Sequence, residues 1–413
     1  MAEAAAVQSN ERVVKDIINA KSVSTFFQPV VSVLTKSIVG FEAFSRGGAG
    51  ACTIAPAMLF HDELPPDVKL DVDRLCREKA LSQFRGIHQN HKELLIYLNI
   101  NSDILPHVDL SEEKLTAQVS VAGIKPANVV IETSMCSKHV DLVAALREKF
   151  SGLAFKICLD DCSVDDPFSH MISRIKPHFV KVNRSFFSND ERKDYSAKTL
   201  EALCKLADRM GASVIAQGVE NEEESLRLLA AGVHLQQGYY YTKDENDKTG
   251  DPAKMFFRKI IDTHEKFKIF KREMVRRRKE SFSNTFKSVA SLCAKFSNMP
   301  ENRFGDACKT LVHNADGVIS MFVLDNDGIQ ITDRSHVRTS TANAVADSIL
   351  GTHKGAEHSV FDYVMYLDMG YEKFVSPTFS SPYTGQDACI ISKPFFNKEG
   401  LRYMICIEMP YPG

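Results

Sequence analysis

The sequence lacks tryptophan, and ten cysteines are scattered through it without a CxxC pair. It also has no apolar run of the ~18 residues that a membrane-spanning helix needs. Each absence excludes something. The nearest cysteines, Cys158 and Cys162, do not have the spacing of a zinc ribbon or a redox dithiol. Reduced thiols packed as small apolar groups are therefore expected. The formal charge of -2 carries no basic excess of the kind that marks a nucleic-acid binder. The opening MAEAAAVQSNERVVKD has no charged-then-apolar signal pattern. Without a span or a signal, a cytoplasmic protein is expected. The missing tryptophan is accompanied by 26 phenylalanines and bears on no function.

What remains is an ordinary globular composition, 44% hydrophobic and 25% charged. A chain of 413 residues is too long for one ordinary core, so at least two domains are expected. From residue 25 to 245, short apolar runs alternate with helical patterns. The runs are STFFQPVVSV, SIVGFEAFSR, ELLIYLNIN, NVVIETS, AFKICLDD, HFVKVN, ASVIAQG and HLQQGYYY. Helical stretches such as VDRLCREKALSQF and SAKTLEALCKLADRMG lie between them. Eight strands with intervening helices predict an α/β fold, a (β/α)8 TIM-like barrel of the usual ~250 residues. Only LTKS separates PVVSV from IVGFEAF. A parallel crossover needs a dozen or more residues, so these two strands must form an antiparallel hairpin, and the barrel should contain one reversed strand.

The barrel is expected over residues 1–250 and a long linker helix over 251–299. The helical pattern runs from 252 to 297 with no internal proline or glycine, and apolar residues such as Phe256, Ile260, Phe267 and Phe270 recur at helical spacing. Its basic core, KFKIFKREMVRRRKE, is expected to form a solvated or dimer-flanking face rather than a nucleic-acid patch. Residues 300–413 predict a separate α+β domain. VISMFVLDNDGIQITD reads as strand, turn and strand, and VMYLDMG, DACIISKPFFN and LRYMICIEM continue the hairpin logic. GDACKTLVHNA and TANAVADSIL should be its helices, and His336 and His358 are expected at the surface. Tyr366, Tyr371, Ser376 and Tyr383 are candidates to line a pocket.

The active site of a (β/α)8 barrel lies at the C-terminal ends of its strands. At those ends the sequence places Glu42 and Arg46, Asn99 and Asn101, Glu132, Asp160 and Asp161, Lys181 and Asn183, Gln217 with Glu220, and Gln237. A ring of hard oxygen donors at one rim is a magnesium or manganese site. Hard donors beside lysine and arginine suit a phosphate ester, with arginine forking a phosphate oxygen.

These segments carry a resemblance. QPVVSV, GFEAFSR, YLNIN, VIETS, LDD, KVN, AQGVE and QGYYYTK stand in the order and spacing of the EAL-domain family, over residues 12–250. The resemblance implies two-metal hydrolysis of cyclic di-GMP to a linear dinucleotide. By that likeness Glu42, Asn99, Glu132 and Asp160 hold a first Mg2+ or Mn2+, and Asp161 serves a second. Lys181, with Gln217 and Glu220, belongs to the catalytic set, Lys181 beside the attacking water. Gln28, Phe44, Arg46 and Gln237 contact the ligand. VLDNDGIQITD, SPYTGQ and the NKEG hairpin resemble Cache-type sensor domains, relatives of the PAS fold.

The departures from the EAL pattern gather on the second metal. The signature triplet reads Glu42-Ala43-Phe44, and Gln217 stands where the family has an acid. Asn183 replaces the acid of KID, Met135 replaces a bracing acid, and the loop after the fifth strand reads DDCSVDDPFSH, with Asp165 and Asp166 adding negative charge. Three functions follow as expectations. The first is a cyclic di-GMP receptor with weak or no phosphodiesterase activity, coupled to a sensor domain with its own ligand in a homodimer. The second is a working metal-dependent phosphodiesterase, and the third is an interaction scaffold that binds no nucleotide.

Overall fold

The computed structural model of the protein describes residues 2–49, 52–100, 104, 114–134, 140–188, 193–242, 251, 254–337 and 353–411. Asn101, Met135 and the expected helix at 341–350 lie outside the described residues. The chain divides into two compact units, residues 1–271 and 272–413. Among the described residues no helix is long and apolar enough to cross a membrane.

The first unit is a closed barrel of eight strands. These are β1 (Val23–Ser32), β2 (Ser37–Ala49), β4 (Leu95–Asn99), β5 (Val129–Ser134), β6 (Lys156–Cys162), β7 (Phe179–Val182), β8 (Ser213–Gln217) and β9 (Leu235–Gln237), and a short β3 (Cys52–Ile54) extends β2 outside the ring. β1 runs antiparallel to both β2 and β9, and the other neighbours in the ring are parallel. The reversed strand inferred from the short LTKS connection is therefore β1. Gly40 is required by the β2–β4 pairing, because a Cβ there would lie 2.3 Å from the Leu95 carbonyl oxygen.

Strand periodicity builds both core layers. Odd and even residues point to opposite faces. Val129 and Ile131, Ile157 and Leu159, and Val180 and Val182 face the helices, where they join the large shell of buried side chains. Their alternates, Leu95, Tyr97, Val130, Cys158, Ile215 and Leu235, fill the barrel interior with Val30. Two residues further along each strand, the same inward face carries Asn99, Glu132, Asp160, Gln217 and Gln237. The polar ring is thus the top layer of the interior stack.

In the last of the expected strands, only Leu235–Gln237 is extended, and Tyr239–Thr242 turns into a helix. The turn is set by Gly238, whose Cβ would lie 2.2 Å from the Val219 carbonyl oxygen. The long helix runs Phe257–Ser297, about 60 Å at ~1.5 Å per residue.

The second unit contains an antiparallel sheet in the order β11-β10-β15-β14-β12, with β13 beside β14. Its strands are β10 (Ser320–Leu324), β11 (Ser335–His336), β12 (Phe374–Val375), β13 (Phe379–Ser380), β14 (Asp387–Phe396) and β15 (Arg402–Pro410). Phe304–Asn314 packs on one face, where Phe304, Cys308 and Val312 join Tyr403, Ile405 and Ile407. Several expectations for this region need correction. VMYLDMG is no hairpin limb, because Asp362–Asp368 is a helix that buries Tyr363, Val364 and Leu367 at helical spacing. The IQITD limb makes only isolated bridges, Leu324 with Gln330 and Ile329 with Glu357. His358 is a core residue, 2% exposed, with Nδ1 2.5 Å from the Tyr363 hydroxyl and Nε2 3.0 Å from Gln330 Oε1. His336 is half-buried and stacks on Tyr383, their ring centroids 4.4 Å apart. Tyr383 is buried while Tyr366 and Tyr371 are exposed, so the candidate tyrosines do not share one environment.

Candidate metal and phosphate site at the barrel rim

At the centre of the rim a buried lysine bridges two buried carboxylates. Lys181 and Glu132 are 0% exposed and Glu42 is 4% exposed. Lys181 Nζ lies 2.6 Å from Glu42 Oε2 and 2.6 Å from Glu132 Oε1. The Tyr97 ring lies beneath it, 5.5 Å from the ammonium. Asn99 Nδ2 donates to Glu42 Oε1 at 3.0 Å and to Glu132 Oε2 at 3.4 Å. Gln237 Nε2 donates to Glu42 Oε2 at 2.7 Å and to Gln28 Oε1 at 3.0 Å. Six strands thus meet in one network, and its members are up to 209 residues apart in sequence.

The charges are tightly coupled. Burial raises the Glu42 carboxyl, but the Lys181 ammonium and the donors Gln237 and Asn99 outweigh it, so the group ends below its ordinary range. Burial, reinforced by Glu42, holds Glu132 well above the carboxylate range despite Lys181. Asp160 is raised by burial against the pull of Lys181. Burial opposes the charge on Lys181, yet Glu132, Glu42 and Asp160 together keep it protonated well above the usual lysine range. Three acidic side chains therefore share one ammonium.

Acids that can ionise around one ammonium suit a cation. Asp160 Oδ1 and Gln237 Oε1 are buried and have no hydrogen-bond partner. Buried unsatisfied oxygens are rare and costly, and a hard cation or an ordered water would satisfy them. The donors are all oxygens, as magnesium or manganese requires. Among the described residues no three His, Cys, Asp or Glu side chains converge by themselves on one ion position. In this arrangement the Lys181 ammonium stands between two of the acids.

Asp161 is held differently. A register shift in β6 between Leu159 and Cys162, with Asp161 at φ 56°, turns consecutive acids toward the rim. Asp161 Oδ1 accepts from Asn183 Nδ2 at 3.0 Å and from Gln217 Nε2 at 3.4 Å. The orientation of Asn183 is fixed on its far side, because its Oδ1 accepts from the Ser185 backbone N–H at 3.0 Å and the Ser185 hydroxyl at 2.7 Å. The amide must then present its NH2 to Asp161. Two uncharged amide donors thus sit on one oxygen of Asp161.

An open depression of about 750 Å³ covers these groups. It is lined by Gln28, Glu42, Phe44, Asp160, Asn183, Gln217 and Gln237, and its volume is that of a site for a drug-sized ligand. Glu220 is exposed, and its carboxylate pairs with Arg184. Arg184 was not singled out in the sequence. It follows β7 directly, lines the depression, and is raised by hydrogen bonding to Glu220 despite some burial. Its Nη2 also lies 2.7 Å from Glu224 Oε1. A basic residue immediately after the KVN run was the available signal. Arg46 lies beyond Phe44 on β2 and lines a neighbouring cavity; its Nη1 donates to the Ser45 carbonyl at 3.0 Å. Asp166 Oδ2 accepts from the Ser163 backbone N–H at 2.6 Å.

Comparison with known proteins agrees with this geometry. A family described as "EAL domain" matches residues 11–244. The cyclic di-GMP phosphodiesterase TpdA of Vibrio parahaemolyticus is 30% identical over 163 residues, which are 38% of this chain and 28% of TpdA. The cyclic di-GMP phosphodiesterase PdeL of Escherichia coli is 29% identical over 225 residues, 52% of this chain and 61% of PdeL. The chain therefore spans less than two thirds of these relatives. A crystal structure of the Bacillus subtilis YkuI protein, with an EAL domain and in complex with cyclic di-GMP and calcium, superposes with a TM-score of 0.77. It is 18% identical, and the match covers 96% of this chain and 97% of that one. At that identity the likeness concerns the fold.

Proposed function

Because the chain belongs to the EAL-domain family, we propose that its barrel binds cyclic di-GMP at the rim with one divalent cation, and that it hydrolyses the nucleotide weakly or not at all. The observation that carries this proposal is the contrast between the two aspartates. Asp160 leaves a buried oxygen without a partner, whereas Asp161 is already satisfied by Asn183 and Gln217.

Glu42, Asn99, Glu132 and Asp160 would hold the ion, which is Mg2+ or Mn2+ for such a donor set. A divalent cation bound there lowers the pKa of a coordinated water and neutralises phosphate charge. The chain's own residues do the rest. Lys181 keeps Glu42 ionised, and the one donor it does not commit to Glu42 or Glu132 can orient a water beside the phosphate. Gln237 has both amide hydrogens committed to Gln28 and Glu42, so its free oxygen accepts from a water or a ligand hydroxyl. Arg46 supplies a planar fork for a phosphate oxygen. In-line hydrolysis proceeds best when both the entering and the leaving oxygen are stabilised, and a single cation leaves one of them without that support.

The segment 251–299 is proposed as a linker, and residues 300–413 as a Cache/PAS-like regulatory domain with its own ligand. Ile269, Phe270 and Val275 expose apolar surface along the long helix, which favours a homodimer. Calorimetry with cyclic di-GMP in calcium, followed by chromatography after incubation with manganese, tests the whole. Binding with little linear product is expected. Rapid turnover would establish the working phosphodiesterase instead, and silence in both assays would leave the interaction scaffold.

A further inference from the structure

The second unit gathers exposed apolar surface in one place. Of the nineteen large apolar side chains exposed among the described residues, eight lie between residues 360 and 401. Single exposed apolar residues are ordinary, but eight within about a tenth of a chain form a patch. We infer that a second copy of this chain docks there, second unit against second unit about a two-fold axis. The inference rests on the homodimer proposed above and names its contact surface.

The patch is built on the helix Asp362–Asp368. That helix turns Tyr363, Val364 and Leu367 onto the sheet, where they join Phe322, Met404 and Cys406. At 3.6 residues per turn its opposite face carries Phe361, Met365 and Met369, each four residues after the last. All three are exposed, Met369 at 74%. A surface helix ordinarily places polar side chains on that face. Tyr366 and Tyr371 lie beside the stripe with ring centroids 5.1 Å apart, and Tyr366 packs on Phe374 at 4.7 Å. These contacts hold the two tyrosines in place and still leave both exposed.

The end of the helix is tied to the β14–β15 hairpin. Arg402 Nη1 lies 3.0 Å from Asp368 Oδ1, and its Nη2 donates to the Leu367 carbonyl at 2.9 Å. Phe396 pairs with Arg402 across the two strands and so shares its face of the sheet. Phe396 and its neighbour in the hairpin, Leu401, are also exposed. The stripe, the tyrosines and the hairpin therefore form one continuous surface.

Size and charge select the occupant. The eight side chains are about half exposed, and at roughly 200 Å² each they present about 800 Å². A monomer rarely shows so large a patch, and ~800 Å² is what each partner contributes to a stable interface. Methionine, tyrosine and phenylalanine are favoured in the cores of such interfaces. The charges around the patch are of both signs. Glu357, Asp362, Glu372 and Glu399 are exposed, and so are Lys354, Lys373 and Lys398. A lipid surface or a nucleic acid selects a cationic rim instead. A two-fold contact sets one patch against its own copy, so each sign finds the other in the same rim. The long helix offers no comparable stripe, because Ile269 and Val275 lie ~240° apart around its axis.

The test is sedimentation of the full chain over a range of micromolar concentrations. The unmodified protein should be a dimer. Met365→Glu combined with Met369→Glu places carboxylates at the centre of the contact and should weaken the dimer by about a hundredfold or more, with the circular dichroism spectrum unchanged. Ile269→Asp on the long helix should leave the dimer intact. If the double variant does not fold, hydrogen exchange of the unmodified protein decides, since amides of residues 361–371 should exchange more slowly in concentrated than in dilute solution. A folded double variant that stays dimeric, exchange that ignores concentration, or a dimer lost through Ile269→Asp overturns this surface while the homodimer stands. An unmodified protein that sediments as a monomer throughout overturns both.

Discussion

Replacing Gln217 with glutamate tests the account of the second aspartate. Gln217 Nε2 now lies 3.4 Å from Asp161 Oδ1. Substitution turns that donor into a carboxylate oxygen at the same reach. At 3.4 Å two unit charges repel by about 1.2 kcal/mol in water and by about 5 kcal/mol at an effective dielectric constant of 20. Asp161 is exposed and Gln217 half-buried, so the lower figure governs. The lost hydrogen bond adds about 0.5–1.5 kcal/mol. Without a cation, Gln217→Glu should cost the barrel about 2–3 kcal/mol at neutral pH. The new carboxyl is raised in the folded state, so its cost is present above its unfolded value of about 4.3 and fades as pH falls toward it. Manganese should reverse the loss. An ion at a hundredfold excess over its dissociation constant returns about 2.7 kcal/mol. Urea unfolding with and without manganese, together with the number of ions bound by calorimetry, reads both effects. One ion is expected for the unmodified protein and two for the variant. Two ions in the unmodified protein, or a variant with undiminished stability in chelator, would refute the reasoning.

Other expectations follow from the same network. Lys181→Met strands Glu42 and Glu132 in the interior and should cost about 3–5 kcal/mol, measured by denaturant unfolding of the barrel. The deficit should shrink on acidification, because the lowered Glu42 carboxyl contributes stability to the unmodified protein that is lost as pH falls through its folded pKa. A deficit under about 1 kcal/mol would show that the triad is not the charge centre of the rim. Glu132 and Asp160 are both raised and must release protons to hold an ion, so manganese affinity should fall as pH is lowered, with measurable proton release on binding. A flat profile would contradict this. Arg46→Ala should weaken cyclic di-GMP binding by about 1.5–3 kcal/mol, and unchanged affinity would remove it from the phosphate site.

Much of the barrel could be read from the sequence, because strand periodicity and connection length are local properties. Apolar runs ending in polar residues placed Glu42, Asn99, Glu132, Asp160, Lys181, Gln217 and Gln237 on one rim. The four residues of LTKS were enough to reverse β1. The second unit was read less well. VMYLDMG reads as a strand because a short apolar run looks alike in either state, and only its packing makes it helical. His358 was expected at the surface, since nothing nearby in sequence announces its partner Gln330 28 residues away.

Residue type and spacing are therefore sufficient to specify a barrel, its reversed strand and a rim of oxygen-bearing side chains. Tertiary structure alone decides how those side chains divide. It put Lys181 between two acids, left Asp160 with an unpaired oxygen, and turned the Asn183 amide toward Asp161 by anchoring its other end on Ser185. These outcomes depend on distances between segments far apart in the chain, and hydrogen bonds and charges act over a few ångströms of space, whatever the separation along the backbone.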